Sequence, residues 1–254
     1  MMLVLSALLM AAAPARADIA SARTALFSGD RAEAVRLATA GDIAAQLALG
    51  EAYLTGRGVE RAPALAATWI RKAAVAGSLS AQIMLSQLYD GGTGVAQDAA
   101  ESASWLEAAA LQGDADSQLS LGARYLQGEG VKANPKTAIM WIEKAALQGG
   151  PEAQMQYGAA LANGIDATPR PDDGLKWIVR AAEQGYVQAL MTLGTVSIQG
   201  NFGDPDVVLA YKWFRLAANL GEDRAMEISR KLETQMTPEQ IAQAQKLVRE
   251  WTPK

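Results

Sequence analysis

The chain has 254 residues, 50% of them hydrophobic and 20% charged, with 27 acidic side chains against 23 basic ones. That balance supplies a sizeable core and excludes both a disordered tail and a collagen-like fibre. Cysteine and histidine are both absent, so disulfide frameworks, thiol nucleophiles, Cys/His zinc sites and imidazole acid–base chemistry are excluded with them.

Residues 1–17 read MMLVLSALLMAAAPARA: an apolar run from Leu3 to Ala13 broken only by Ser6, then Pro14, then Ala15 and Ala17 flanking Arg16. This is the pattern of a secretory signal peptide with an A-x-A cleavage site. The run is too short to cross about 30 Å of hydrocarbon at about 1.5 Å per residue, so no stable membrane insertion of the mature chain is expected. Removal of the segment leaves 22 basic residues against 27 acidic, a sign that disfavours nucleic acid as a partner. The expected destination is the periplasm, with the extracellular space as the other possibility.

Residues 18–43 read as an N-terminal helical cap with a degenerate half repeat: Gly41 is in phase with the glycines of the later units, but Glu33 stands one period before the first in-phase tryptophan, Trp69. Beyond this cap a strict period dominates. Trp69, Trp105, Trp141, Trp177 and Trp213 are each 36 residues apart. Gly77, Gly113, Gly149, Gly185 and Gly221 keep the same step, as do the Ala-Ala pairs that begin at Ala73, Ala109, Ala145, Ala181 and Ala217. The repeated array spans residues 44–225, in units of about 44–79, 80–115, 116–151, 152–187 and 188–225.

Each unit predicts two helices. In the first, Ala45, Leu49, Ala52 and Tyr53 share one face; in the second, Leu65, Trp69, Ala73 and Ala76 do. Asp98, Asn134 and Asp206 are candidate N-caps of second helices, and Pro63, Pro135 and Pro171 fit their first turns. The Gly77 column suits a left-handed C-terminal turn. Gly50, Gly122, Gly158 and Gly194 fall inside first helices, where glycine costs about 1 kcal/mol against alanine. Close approach of the second helix through its Ala-Ala pair, with the Trp filling the space beside, is the expected compensation.

Residues 226–254 read as C-terminal capping helices. Glu222 to Gln235 continues as a helix, and Thr237-Pro238-Glu239-Gln240 offers an N-cap, a first-turn proline and a capping-box glutamine for a last helix ending near Trp251.

The unit small-Gln-x-x-Leu-Gly-x-x-Tyr-x-x-Gly-x-Gly-Val, followed by x-x-Trp-x-x-x-Ala-Ala-x-x-Gly, resembles the Sel-one-like repeat family, relatives of the tetratricopeptide repeat. The resemblance covers about Ala44 to Ala225. It implies an all-α fold, a right-handed α-solenoid of antiparallel helix pairs, with about five 36-residue repeats between helical caps.

Three features could carry chemistry. Gly56-Arg57-Gly58, Gly92-Thr93-Gly94 and Gly128-Glu129-Gly130 look like phosphate-cradling fragments, but they follow no strand, lack the third glycine and recur as connectors. Asp172-Asp173 and Asp204-Pro205-Asp206 could hold a cation, yet they suit helix N-termini equally well by charge. The Trp column, with Tyr53, Tyr89 and Tyr125, could stack a glycan or a base; at helical spacing beside leucine such rings belong in the core. No cofactor and no metal are called for.

The remaining surface is the concave wall that the resemblance assigns to the first helices. One stripe on it is Leu47, Ile83, Leu119, Met155 and Met191; one turn later come Glu51, Gln87, Ala123, Ala159 and Thr195. Two readings stand. The stripe packs first helix on first helix between repeats, or it forms a partly exposed groove for an extended peptide or an amphipathic helix, with the methionines as adaptable contacts. The expectation is an exported, non-enzymatic repeat protein, an adaptor, scaffold or regulator that binds another protein of the envelope or secreted space through these ten residues. The alternative, a cell-wall or β-lactam hydrolase, is suggested by family members rich in paired cysteines, and this chain has none.

Overall fold

The computed structural model describes Thr24 and residues 31–165, 167–200 and 204–253. The expected signal peptide and most of residues 18–30 lie outside the described residues. Among the described residues there are thirteen α-helices and no strand. They divide into two compact units, Met1–Asp98 and Ala99–Lys254.

The first unit holds α1 (Arg31–Thr39), α2 (Ile43–Thr55), α3 (Pro63–Val75) and α4 (Leu79–Gly91). The second holds α5 (Ala99–Leu111), α6 (Ala115–Gln127), α7 (Pro135–Leu147), α8 (Pro151–Asn163), α9 (Pro171–Glu183), α10 (Val187–Gln199), α11 (Val207–Asn219), α12 (Asp223–Glu233) and α13 (Pro238–Glu250). Within each unit every helix packs on the helices before and after it in sequence, with one exception: α13 packs on α11 and closes the second unit. Helical hairpins therefore stack in chain order. Such packing is cumulative, because each hairpin buries its apolar face only against its neighbours.

The ends of these helices follow from their residues. The side chains of Asp42, Ser78 and Asp114 accept from the backbone N–H groups of Ala45, Ala81 and Ser117 and so cap α2, α4 and α6. Asn134 and Asp206 cap α7 and α11. Pro63, Pro135 and Pro171 occupy first turns, where the missing N–H costs nothing. First helices end on a glycine in the left-handed region, such as Gly128 at φ 75°. The last helix starts with the full capping box of Thr237 and Gln240.

The predicted face of the first helices holds: Ala45, Leu49, Ala52 and Tyr53 are all buried in α2. The predicted face of the second helices is off by one position. Leu65 is 48% exposed and Ala76 is also exposed, while Ala66, Ala67, Ile70, Ala73 and Ala74 are buried in α3. The reason is geometric. A second helix lies between two first helices, α3 between α2 and α4, and so buries two adjacent ridges instead of one.

This shift moves the tryptophans to the margin of the core. Trp141 is buried, but Trp69, Trp105, Trp177 and Trp213 are only partly so. A cation sits over four of the rings: Lys72 Nζ lies 3.9 Å from the Trp69 centroid, and Lys144, Arg180 and Lys212 do the same for Trp141, Trp177 and Trp213. The deepest side chain belongs to the next residue. Ile70, Ile142 and Phe214 are almost fully enclosed, and Leu106 and Ile178 are buried in the same column.

The same column explains the glycines inside first helices. A Cβ added to Gly122 would stand 2.5 Å from Ile142 Cγ1 and 3.1 Å from the Ala138 carbonyl oxygen. Gly50 faces Ile70 and Ala66 in the same way, and Gly194 faces the Phe214 ring. Close approach is therefore the compensation, but its partner is the residue after the tryptophan and not the Ala-Ala pair.

Candidate interaction surface

The connectors and acidic clusters have structural roles. Gly94 and Gly130 turn in the left-handed region, and a Cβ on either would collide with the carbonyl of Pro63 or Ala99 at the start of a neighbouring second helix. These Gly-x-Gly turns seat the connector on the preceding hairpin. Asp172 and Asp173 occupy the first turn of α9, and Asp173 accepts a 2.9 Å bond from Lys176 Nζ. Asp206 accepts from the N–H groups of Val208 and Leu209. Among the described residues no group of three or more acidic side chains is arranged to hold a metal ion.

The Gln ladder ties successive hairpins together. Gln46, Gln82 and Gln118 each donate from Nε2 to the carbonyl of the second alanine of a preceding Ala-Ala pair or its counterpart, Ala38, Ala74 and Ala110 in turn. Gln148 Nε2 donates back to Gln118 Oε1 and to the Gly113 carbonyl. Gln184 repeats this on Gln154 and Gly149.

With the inner face of the first helices thus committed, their outer face is what remains. In α6 the buried residues are Ser117, Gln118, Leu121 and Gly122. The opposite side carries Asp116, Leu119, Ala123 and Leu126, at positions i, i+3, i+7 and i+10. In α8 the corresponding residues are Glu152, Met155, Ala159 and Ala162; in α10 they are Gln188, Met191, Thr195 and Ile198. Leu119, Met155 and Met191 are half-buried, packed at their base against the hydrophobic clusters of the second unit. Ala123 and Ala159 are half-buried and Thr195 is exposed. Each first helix in this unit therefore offers a shallow apolar stripe, partly used for packing and partly open.

In the first unit the ten-residue set divides. Leu47 is buried, 7% exposed, among the core residues of α2, so it presents little surface to a partner. Glu51 is half-buried, Ile83 half-buried and Gln87 exposed.

Two exposed residues on the same wall lie outside the predicted set: Leu126 at 36% and Ile198 at 42%. Both fall seven residues after a stripe residue, Leu119 and Met191, and that helical spacing was the signal for them. The carboxylates of Asp116 and Glu152, three residues before the stripe, are exposed at the other end of the wall. Burial, and secondarily the charge of Glu152, hold the Tyr186 phenol above its ordinary value.

The model of the Sel1 repeat matches residues 43–78, 79–114, 115–150, 151–186 and 188–222. The chain belongs to the Sel1 repeat family. Proteins of this family generally act through contacts with other proteins. A protective antigen of uropathogenic Escherichia coli displaying an SLR fold is similar at a TM-score of 0.74 and 26% identity, over 91% of this chain and 53% of that one. This Sel1 repeat chain thus spans about half the length of that antigen. A Sel1 repeat protein from Oxalobacter formigenes is similar at a TM-score of 0.73 and 26% identity, over 83% of this chain and 88% of that one. No curated protein matches the chain. No helix among the described residues of this Sel1 repeat protein is long and apolar enough to cross a membrane.

Proposed function

We propose that this Sel1 repeat protein is exported and acts without catalysis, as an adaptor, scaffold or regulator of another envelope protein, most simply in the periplasm. In this reading it holds a peptide or helix against the outer faces of its first helices. The supporting observation is the partly open apolar stripe of Leu119, Ala123, Met155, Ala159 and Met191 on helices whose opposite faces are buried. Partly packed methionines suit such a role because their side chains re-shape at little cost. Within the first unit, Ile83, Gln87 and Glu51 occupy the same positions of the repeat.

The signal-peptide pattern of residues 1–17 is the argument for export. The hydrolase alternative is suggested by family members rich in paired cysteines, and this chain has no cysteine. The test is affinity capture from an envelope fraction with the tagged protein and with Leu119→Asp plus Met155→Asp. A discrete partner retained by the parent and lost by the variant, with helicity preserved by circular dichroism, supports the proposal. Equal capture by both proteins contradicts it.

A further inference from the structure

The wall of the second unit is not symmetric in charge. Its three first helices, α6, α8 and α10, carry only three acidic or basic side chains: Asp116, Glu152 and Arg124. Both carboxylates lie in the first turn and are exposed. The Arg124 guanidinium is half-buried in the other half of α6 and donates at 3.1 Å to Ser102 Oγ on α5. Asp114, whose side chain caps α6, adds a third carboxylate at this end, whereas the half-buried Glu183 at the end of α9 lies beside Lys212. At the far end of the wall the exposed side chains are aliphatic, Leu126 and Ile198. A partner lying across the stripe thus meets carboxylates along one edge, thioether and alkyl groups in the middle, and branched aliphatics along the other edge.

Resting on the reading of the wall as a binding surface, we infer that its occupant in residues 99–254 is a cationic amphipathic helix, with Lys or Arg along the edge facing Asp116 and Glu152 and leucine-like side chains facing Leu119, Met155 and Leu126. Charge complementarity carries the choice. A neutral apolar helix leaves two carboxylates desolvated without a counter-charge, and an acidic one adds like-charge repulsion at the same rim.

The experiment uses the mature chain and three synthetic helical peptides of about 18 residues that share a leucine face and differ only at the edge, bearing Lys, Gln or Glu. Binding is read by fluorescence anisotropy at low and high salt. The Lys peptide is expected to bind tightest and to weaken with salt. Asp116→Asn plus Glu152→Gln should lower its affinity about tenfold. Glu129→Gln plus Asp172→Asn, an equal loss of charge outside the three first helices, should leave it unchanged. If the Gln or Glu peptide binds as well as the Lys peptide, or if both charge-neutralised pairs weaken it equally, the inference is wrong while the wall stands as a binding surface. If no peptide binds, or if Leu119→Asp plus Met155→Asp leaves binding intact, the underlying reading of the wall fails. Should that apolar variant lose its helicity, the Asp116 and Glu152 pair still decides the charge question.

Discussion

Gln148 Nε2 lies 2.9 Å from Gln118 Oε1, thirty residues back in the chain, and 2.8 Å from the Gly113 carbonyl oxygen. One period on, Gln184 makes the same two bonds to Gln154 and Gly149. Each pair fastens one hairpin to the next through the carbonyl of the glycine in the turn that follows a second helix. In the last repeat both positions change together, to Leu190 and Leu220. At the start of the array only one has changed: Ala76 stands where the donor would be, and Gln46 Oε1 is buried with no hydrogen-bond partner.

Ala76→Gln should therefore stabilise the protein by about 1 kcal/mol, by giving the orphaned Gln46 oxygen a donor. The converse change, Gln148→Ala, should cost about 1 to 2 kcal/mol because it leaves Gln118 Oε1 buried and unbonded. Denaturant unfolding of the two variants beside the parent checks both signs.

Gly122→Ala improves helix propensity and yet should destabilise by about 1 to 3 kcal/mol, because the new methyl meets Ile142. In an Ile142→Ala background the clash is gone, and the same change should be close to neutral. A double-mutant cycle measures the coupling, and additive costs would show that the two helices do not meet here.

The tryptophans look equivalent in sequence but are not in the structure. Trp141→Ala, at a site 4% exposed, should cost about 3 to 5 kcal/mol. Trp213→Ala, at a partly exposed ring covered by Lys212, should cost clearly less. Equal losses of stability in thermal melts would refute the placement of the column at the margin of the core.

Much of this was legible in the sequence because a repeat samples each position five times. The period and the helix pairs follow from the repeated columns, and the closing helix from the local Thr237–Gln240 capping motif. The inner face of the second helices was not legible. Trp69 is the loudest signal in the repeat, yet size does not imply depth, and the quieter Ile70 column is what fills the gap above Gly50. The wall was half legible: its stripe follows from phase, but Leu47 is buried while Leu119 stays partly open, a difference of local packing that periodicity does not encode.

The Asp173 carboxyl is held below its ordinary value, first by the hydrogen bond from Lys176 Nζ and then by the charge of that lysine. Its folded value lies below its unfolded one. The contribution is therefore present above the unfolded value and lost as pH falls through the folded one, below about pH 4. The pair is exposed, so the effect is small. Melting curves of the parent and Asp173→Asn should differ slightly at neutral pH and converge in acid.

The central claim is that the outer faces of the first helices, and not those of the second helices, meet the partner. A photo-crosslinking amino acid placed in living cells at Ala123 or Ala159, and for comparison at the exposed second-helix residue Met140, tests it most directly. One discrete protein adduct is expected from Ala123 and Ala159 and none from Met140. An adduct from Met140 with the two alanine positions silent would contradict the claim.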